Sequence, residues 1–290
     1  MNILKLGFAD TYDNAKFFFE SVLSRRYKII RDDKDPDYLI FGDGNFGYSH
    51  RGYTRAKKIF FTGENVRPNY ADCSHAITFD HENSPKHYRL PLYVLEMWAC
   101  EKDNGFKYYH LKNKQIDVEK EWAKKKVLAA YIQSNPRCEP RNRIVQYLMQ
   151  NNVVASGGPH MNNIGHTIPR NRNLKLDFFN DAYFGLALEN GAYPGYVTEK
   201  ILDSYYANTI PVYWGSQTVH KDFNPKSYID VNNFSKELLL SYLKHLANNK
   251  NEYCDILSQP AFVNDIPNEY TNINSFLNWF DTFVYEGIRG

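Results

Sequence analysis

At 290 residues the chain is roughly twice the usual length of one domain, so one or two domains are expected, with enough chain to bury a core without disulfides or metal staples. An apolar fraction of 43% beside a charged fraction of 23% excludes a disordered or collagen-like chain. Lysine and arginine total 35 against 33 acids, and a net charge of +2 argues against a dedicated nucleic-acid binder.

Residues 3–8 read as a strand and 15–23 as a helix carrying Phe17, Phe18 and Phe19. Short buried strands are expected at 38–41, 59–61 and 76–79. From 84 to about 114 the pattern is irregular, interrupted by Pro85, Pro91 and Gly105, and 113–126 is densely charged, as a solvated helix face or a linker would be. Beyond it the rhythm is regular: strands at 127–132, 153–156, 184–188 and 210–214 alternate with helices at 141–149 and 199–207. Ser235 is placed to cap a helix running to Leu246, and a last helix at 275–285 is expected to pack back across both domains. This order predicts an α/β fold of two Rossmann-like domains, 1–118 and 119–265, followed by a carboxyl-terminal segment at 266–290.

Cys73, Cys100, Cys138 and Cys254 have no metal or disulfide spacing and read as free thiols. No apolar run is long enough to cross a membrane, and Asp10 and Asp13 stand where a signal peptide needs an apolar stretch. The expected location is cytoplasmic, with a peripheral place at the inner membrane as the alternative.

Ligands of open parallel sheets sit beyond the carboxyl ends of the strands, so polar residues after strands are the candidates. Gly42, Gly44 and Gly47 form a literal GxGxxG after one strand, with Glu64 after the next, as in a dinucleotide fold. The next residues, 48–55, are broken by Gly52 and open a helix badly, and a plain glycine-rich loop is the better reading. Asp33, Asp35 and Asp37 make two overlapping DxD patterns, but they precede the strand at 38–41, the wrong end for a metal–diphosphate site, and read as a solvated turn. Glu64 follows a strand in a tight loop and is placed as a general base could be. The richest cluster is Glu189-Asn190, then Tyr196, Thr198, Glu199 and Lys200. With Thr198 as helix cap, Lys200 falls in the first turn, where a cation is unfavourable unless an anion shares the helix start. A salt bridge between neighbours or plain solvation is the alternative reading.

The stretches Leu188-Glu189-Asn190, Gly195 to Lys200, Thr209 to Gly215 and Lys221 to Ser227 resemble the signature of the α1,3/4-fucosyltransferases, glycosyltransferase family 10, and its bacterial Helicobacter-type members above all. Phe61 to Asn65, Ser134-Asn135-Pro136 and Pro140-Arg141-Asn142 extend the resemblance in order. It implies a GT-B-like architecture, two Rossmann-like domains facing a central cleft, with the amino-terminal one binding acceptor and the second binding a GDP-sugar. It also implies GDP-β-L-fucose as donor, an N-acetyllactosamine-type glycan as acceptor and inversion to an α1,3-fucosyl linkage. By motif position Glu64 matches the general base and Glu189 a further acid near the reacting centre. Arg141 and Lys200 match the diphosphate cations, Glu199 the ribose carboxylate, and Asn190 and Tyr196 other donor contacts. No cofactor is required on this reading, and divalent cations at most stimulate.

Family members from eukaryotes carry a membrane anchor and stem, and Helicobacter-type ones a heptad-repeat and basic tail. Neither pattern is visible here, which suggests a bacterial or viral enzyme. Other GDP-sugars, an idle glycan-binding module and a nicotinamide-dependent oxidoreductase are the rival readings. The aromatic-rich stretch 88–109 is where the acceptor is expected to be read.

Overall fold

The computed structural model describes residues 2–100, 111 and 116–285. The chain forms two compact units, Met1–Ala99 with Asn268–Gly290, and Cys100–Pro267.

The first unit holds β1 (Asn2–Ala9), α1 (Asp13–Leu23), β2 (Tyr27–Arg31), β3 (Tyr38–Phe41), β4 (Lys57–Phe61), β5 (His75–Thr78), β6 (His87–Arg89), α2 (Leu92–Cys100) and the carboxyl-terminal helix Ile273–Tyr285. All its strand pairings are parallel, in the order β2-β1-β3-β4-β5-β6. The chain leaves β1 toward one edge and returns to its other side, so the order reverses between β1 and β3, where the crevice of an open parallel sheet forms. Phe19 of α1 meets Phe61 edge to face at 4.8 Å. The carboxyl-terminal helix buries Phe276, Leu277, Phe280, Phe283 and Val284, an apolar stripe at helical spacing, and Phe276 packs on Tyr88 at 5.2 Å. Its contacts of this kind lie within the first unit, and Arg26 pairs with its Asp281 at 2.6 Å.

Two elements here depart from expectation. β2 is an edge strand with Lys28, Ile30 and Arg31 outward, so it lacks the buried run that marks its neighbours. Pro91 does not break structure; it precedes the first residue of α2, where a missing N–H costs nothing, and its carbonyl accepts the Val94 N–H at 2.9 Å. Of the segment 88–109 expected to read the acceptor, residues 101–109, with Tyr108 and Tyr109, lie outside the described residues.

The second unit holds α3 (Val118–Ala123), β7 (Val127–Tyr131), α4 (Glu139–Gln150), β8 (Val154–Ser156), α5 (Arg172–Asn180), β9 (Ala182–Leu188), α6 (Glu199–Tyr206), β10 (Ile210–Trp214), β11 (Ile229–Asp230), α7 (Lys236–Asn248) and α8 (Lys250–Leu257). Its sheet is again parallel, ordered β11-β10-β9-β7-β8. The reversal falls between β7 and β9. Ile210, Val212, Leu186, Leu188 and Ala129 form the centre of its core, closed by Leu239, Leu243 and Leu246 of α7. Ser235 caps α7 by accepting the Leu238 N–H.

The charged run before β7 is not all solvated. Asp117 caps α3, whose Glu119 pairs with Lys250 of α8 at 2.6 Å, so a domain boundary at 118/119 would cut this helix at its first residue. Lys125, 8% exposed, donates to the carbonyls of Asn180 and Asn208 at 2.8 and 2.7 Å. Among the described residues Cys73, Cys138 and Cys254 are free thiols; the Cys100 side chain lies outside the described part. No described helix is long and apolar enough to cross a membrane.

Candidate active site

The crevice of the second unit is built from the segments that leave β7 and β9. After β7 the chain turns through Gln133 and Asn135 into α4, and Pro140 in the first turn of that helix brings Arg141 inward. Arg141 is 2% exposed and spans the switch point: one terminal nitrogen donates to Asn190 Oδ1 at 2.5 Å, the other to the Asn135 carbonyl at 2.5 Å. Its Nε is buried without a hydrogen-bond partner among the described groups. Asn142 and the Tyr131 hydroxyl both bond to Gln133, which braces the turn.

Glu189, the first residue past β9, is fully buried. Its carboxylate accepts the Thr198 N–H at 2.7 Å, the Thr198 hydroxyl at 2.7 Å and the Lys200 ammonium at 3.1 Å. Thr198 is therefore the N-cap of α6 by position only. Its hydroxyl serves Glu189 instead of the free N–H groups of the helix. An anion does sit beside the start of α6, as the misplaced lysine implied, but the chain supplies it from the end of β9. Burial pushes the Glu189 carboxyl above its ordinary value, against the pull of Lys200. Burial works against the Lys200 charge as well, yet Glu189 and Glu199 outweigh it and hold the ammonium above its usual value. Glu199, 3.8 Å from Lys200, is held below the usual carboxylate range because Lys200 and Lys175 overcome its burial.

This packing leaves room for nothing larger than hydrogen at residue 215. A Cβ on Gly215 would lie 2.6 Å from Glu189 Cγ, while the Glu189 N–H donates to the Trp214 carbonyl at 2.8 Å. Gly215→Ala is expected to cost about 1–3 kcal/mol, read as a lowered thermal midpoint. Tyr196, 2% exposed, accepts the Tyr213 hydroxyl through its carbonyl, and the Gly195 N–H is held by Ser216 and Thr218. The structure thus gathers Arg141, Glu189, Asn190, Tyr196, Glu199 and Lys200 in one unit. Gln133, Asn135, Ser216 and Thr218 complete the cluster. Asn135 lies in the Ser134-Asn135-Pro136 stretch of the resemblance, and no motif singles out the other three, though each stands just past the end of a strand.

Glu64 belongs to the first unit, exposed in the bend after β4, with its N–H donated to the Thr62 hydroxyl at 2.9 Å. Nearby, the Tyr12 hydroxyl is pushed up to about 12 by burial and by the carboxylates of Glu96, Glu64 and Asp43. The glycine-rich loop at 42–47 follows β3 and leads only to a short 3-10 turn, Ser49–Gly52, so the helix a dinucleotide would need is missing there. A Cβ on Gly42 would lie 2.2 Å from the Asp10 carbonyl, a close approach that accounts for the glycine without a nucleotide.

The DxD acids are corrected in position. They follow β2, and so stand at a strand's carboxyl end after all. Asp33 accepts the Phe8 N–H at 2.8 Å and pairs with Arg31 at 2.7 Å, and Asp35 pairs with Arg55 at 2.8 Å. Both carboxylates are engaged by the chain itself. Among the described residues no group of three or more His, Cys, Asp or Glu side chains could hold a metal ion.

Residues 4–96 match the family model for the α-(1,3)-fucosyltransferase FucT N-terminal domain, and 122–258 the model for the glycosyltransferase family 10 (fucosyltransferase) C-terminal part. The chain belongs to glycosyltransferase family 10. Over 274 residues this family-10 chain is 32% identical to the α-(1,3)-fucosyltransferase FucT of Helicobacter pylori, covering 85% of the chain and 56% of that relative, so it spans about half the relative's length. A crystal structure of an α1,3-fucosyltransferase superposes with a TM-score of 0.80 at 29% identity, covering 98% of this chain and 90% of that one. A crystal structure of α1,3-fucosyltransferase with GDP-fucose gives 0.77 at 28% identity, covering 98% and 91%. The family-10 chain thus has the α/β, GT-B-type build that its element order implies.

Proposed function

We propose that this chain is an inverting transferase that moves L-fucose from GDP-β-L-fucose to a hydroxyl of an N-acetyllactosamine-type glycan, forming an α1,3 linkage. The observation that carries the reading is the convergence of Arg141, Asn190, Glu189 and Lys200 at the β7/β9 crevice, in a member of family 10. Arg141 and Lys200 bring two cations to the place where a diphosphate is held in such folds. The guanidinium grips phosphate oxygens as a fork and the ammonium acts as a point charge, both gaining strength as GDP leaves and its negative charge grows. Glu199 takes the ribose hydroxyls, while Asn190 and Tyr196 complete the donor pocket. Glu189 holds Lys200 and the entry to α6 in place.

Glu64 removes the proton of the attacking acceptor hydroxyl, one displacement with inversion at the anomeric carbon. The two cations do the work that a metal does in DxD transferases, so the proposal needs no cofactor.

The test is turnover of GDP-fucose with N-acetyllactosamine, followed by GDP release, with the product linkage read by NMR. An α1,3-fucosylated product is expected, and transfer is expected to persist in EDTA. Loss of activity in EDTA that added metal restores would refute the metal-independent scheme. Failure to bind GDP would refute the donor assignment.

A further inference from the structure

We infer that Asp43, acting through the Thr62 hydroxyl, is a positioning residue for Glu64, which gives the glycine-rich loop a purpose that nucleotide binding does not. The inference rests on the proposed role of Glu64 as the base.

The geometry is a chain of three groups. Thr62, 2% exposed at the end of β4, has one hydroxyl proton. It is donated to Asp43 Oδ2 at 2.9 Å, and the Thr62 hydroxyl oxygen accepts the Glu64 N–H at 2.9 Å. The competing acceptor, the Glu64 carbonyl, is 3.4 Å away and unionised, so the carboxylate wins the proton. With the proton turned toward Asp43, the lone pairs of the oxygen face the Glu64 N–H. The Glu64 side chain is exposed, and the backbone that carries it is anchored from behind by Thr62.

Asp43 is fixed in turn. Its other oxygen accepts the Asn45 N–H at 3.2 Å, and Gly42 donates its N–H to the Ala9 carbonyl at 3.2 Å. The far end of the loop is clamped by the Asp10 carboxylate, which accepts the Ser49 hydroxyl at 2.8 Å and the His50 N–H at 2.8 Å, and pairs with His50 Nδ1 at 2.7 Å. Burial alone would raise the Asp10 carboxyl, but these donors hold it below its ordinary value. A threonine hydroxyl by itself would close the turn; the buttressed carboxylate behind it is the feature that a mere turn does not need.

Thr62→Val keeps the volume and removes the hydroxyl. It is expected to lower kcat roughly 10-fold or more with the KM for donor and acceptor unchanged, because a base displaced by a fraction of an ångström loses its alignment. Thr62→Ser should restore turnover, Asp43→Ala should match the valine variant, and Asp43→Asn, which keeps an acceptor oxygen, should retain most activity. In a Glu64→Ala background Thr62→Val should cost nothing further. Wild-type kcat in Thr62→Val, or an equal loss in both backgrounds, would overturn the inference and leave the role of Glu64 standing. Normal turnover by Glu64→Ala alone would remove the base assignment, and the positioning role with it.

Discussion

Glu64→Ala is expected to lower kcat by ~10²–10⁴-fold, the usual contribution of a positioned general base, while GDP affinity stays close to that of the unaltered chain. The two effects separate because the residues involved lie in different units: Glu64 in the unit of β1 to β6, the proposed donor contacts in that of β7 to β11. Removing an exposed carboxylate after β4 leaves the Arg141, Glu189 and Lys200 cluster of the other unit intact. Calorimetry with GDP beside steady-state turnover checks both halves. A variant that turned over normally would take Glu64 out of the mechanism, and one that lost GDP binding would point to misfolding of a kind the exposure of Glu64 does not explain.

Lys200→Ala is expected to have the larger effect on the molecule as a whole. It removes one of the two proposed diphosphate cations, so GDP binding and turnover should fall together, and it strips fully buried Glu189 of its counter-charge. Leaving one member of a buried ion pair behind costs about 3 kcal/mol or more at neutral pH. The pH dependence follows from the raised Glu189 carboxyl. A folded-state carboxyl above its unfolded value binds a proton on folding, so its stability contribution declines as pH rises past the unfolded value. Without Lys200 the folded-state value of Glu189 rises further, and the deficit against the unaltered chain should be deepest near neutrality and shrink as pH falls through the carboxylate range. Thermal midpoints of both proteins across that range provide the check. A deficit independent of pH would mean that Glu189 stays ionised without its lysine, and unchanged GDP affinity would remove Lys200 from the donor site.

How legible each residue is in the sequence depends on how the fold uses it. β3 and β10 are readable to the residue because almost every position is apolar and buried, bounded by polar neighbours. β2 was hidden because an edge strand turns Lys28, Ile30 and Arg31 to solvent, and missing it put the DxD acids at the wrong end of a strand. α5 announces itself only through Asn171, which accepts the Leu174 N–H; its face is half-buried and mixed. At the site, the oddity of a lysine in the first turn of α6 was visible, and so was the need for an anion. That the anion is Glu189 depends on β9 ending level with the start of α6, a tertiary fact that no local pattern carries. Gly215 belongs to the same class: its closest conflict is with the Glu189 side chain from another strand's end.

Lys125 limits how this surface can be engineered. Residues 119–126 look like an obvious place to retune net charge for solubility, a run of lysines and glutamates ahead of the second sheet. But the ammonium of Lys125 is the hydrogen-bond donor for two carbonyls, one at the end of α5 and one in the turn before β10. A glutamate there would set a carboxylate against two acceptors in a buried position, so a recharged variant would gain its solubility only if this one lysine were left alone.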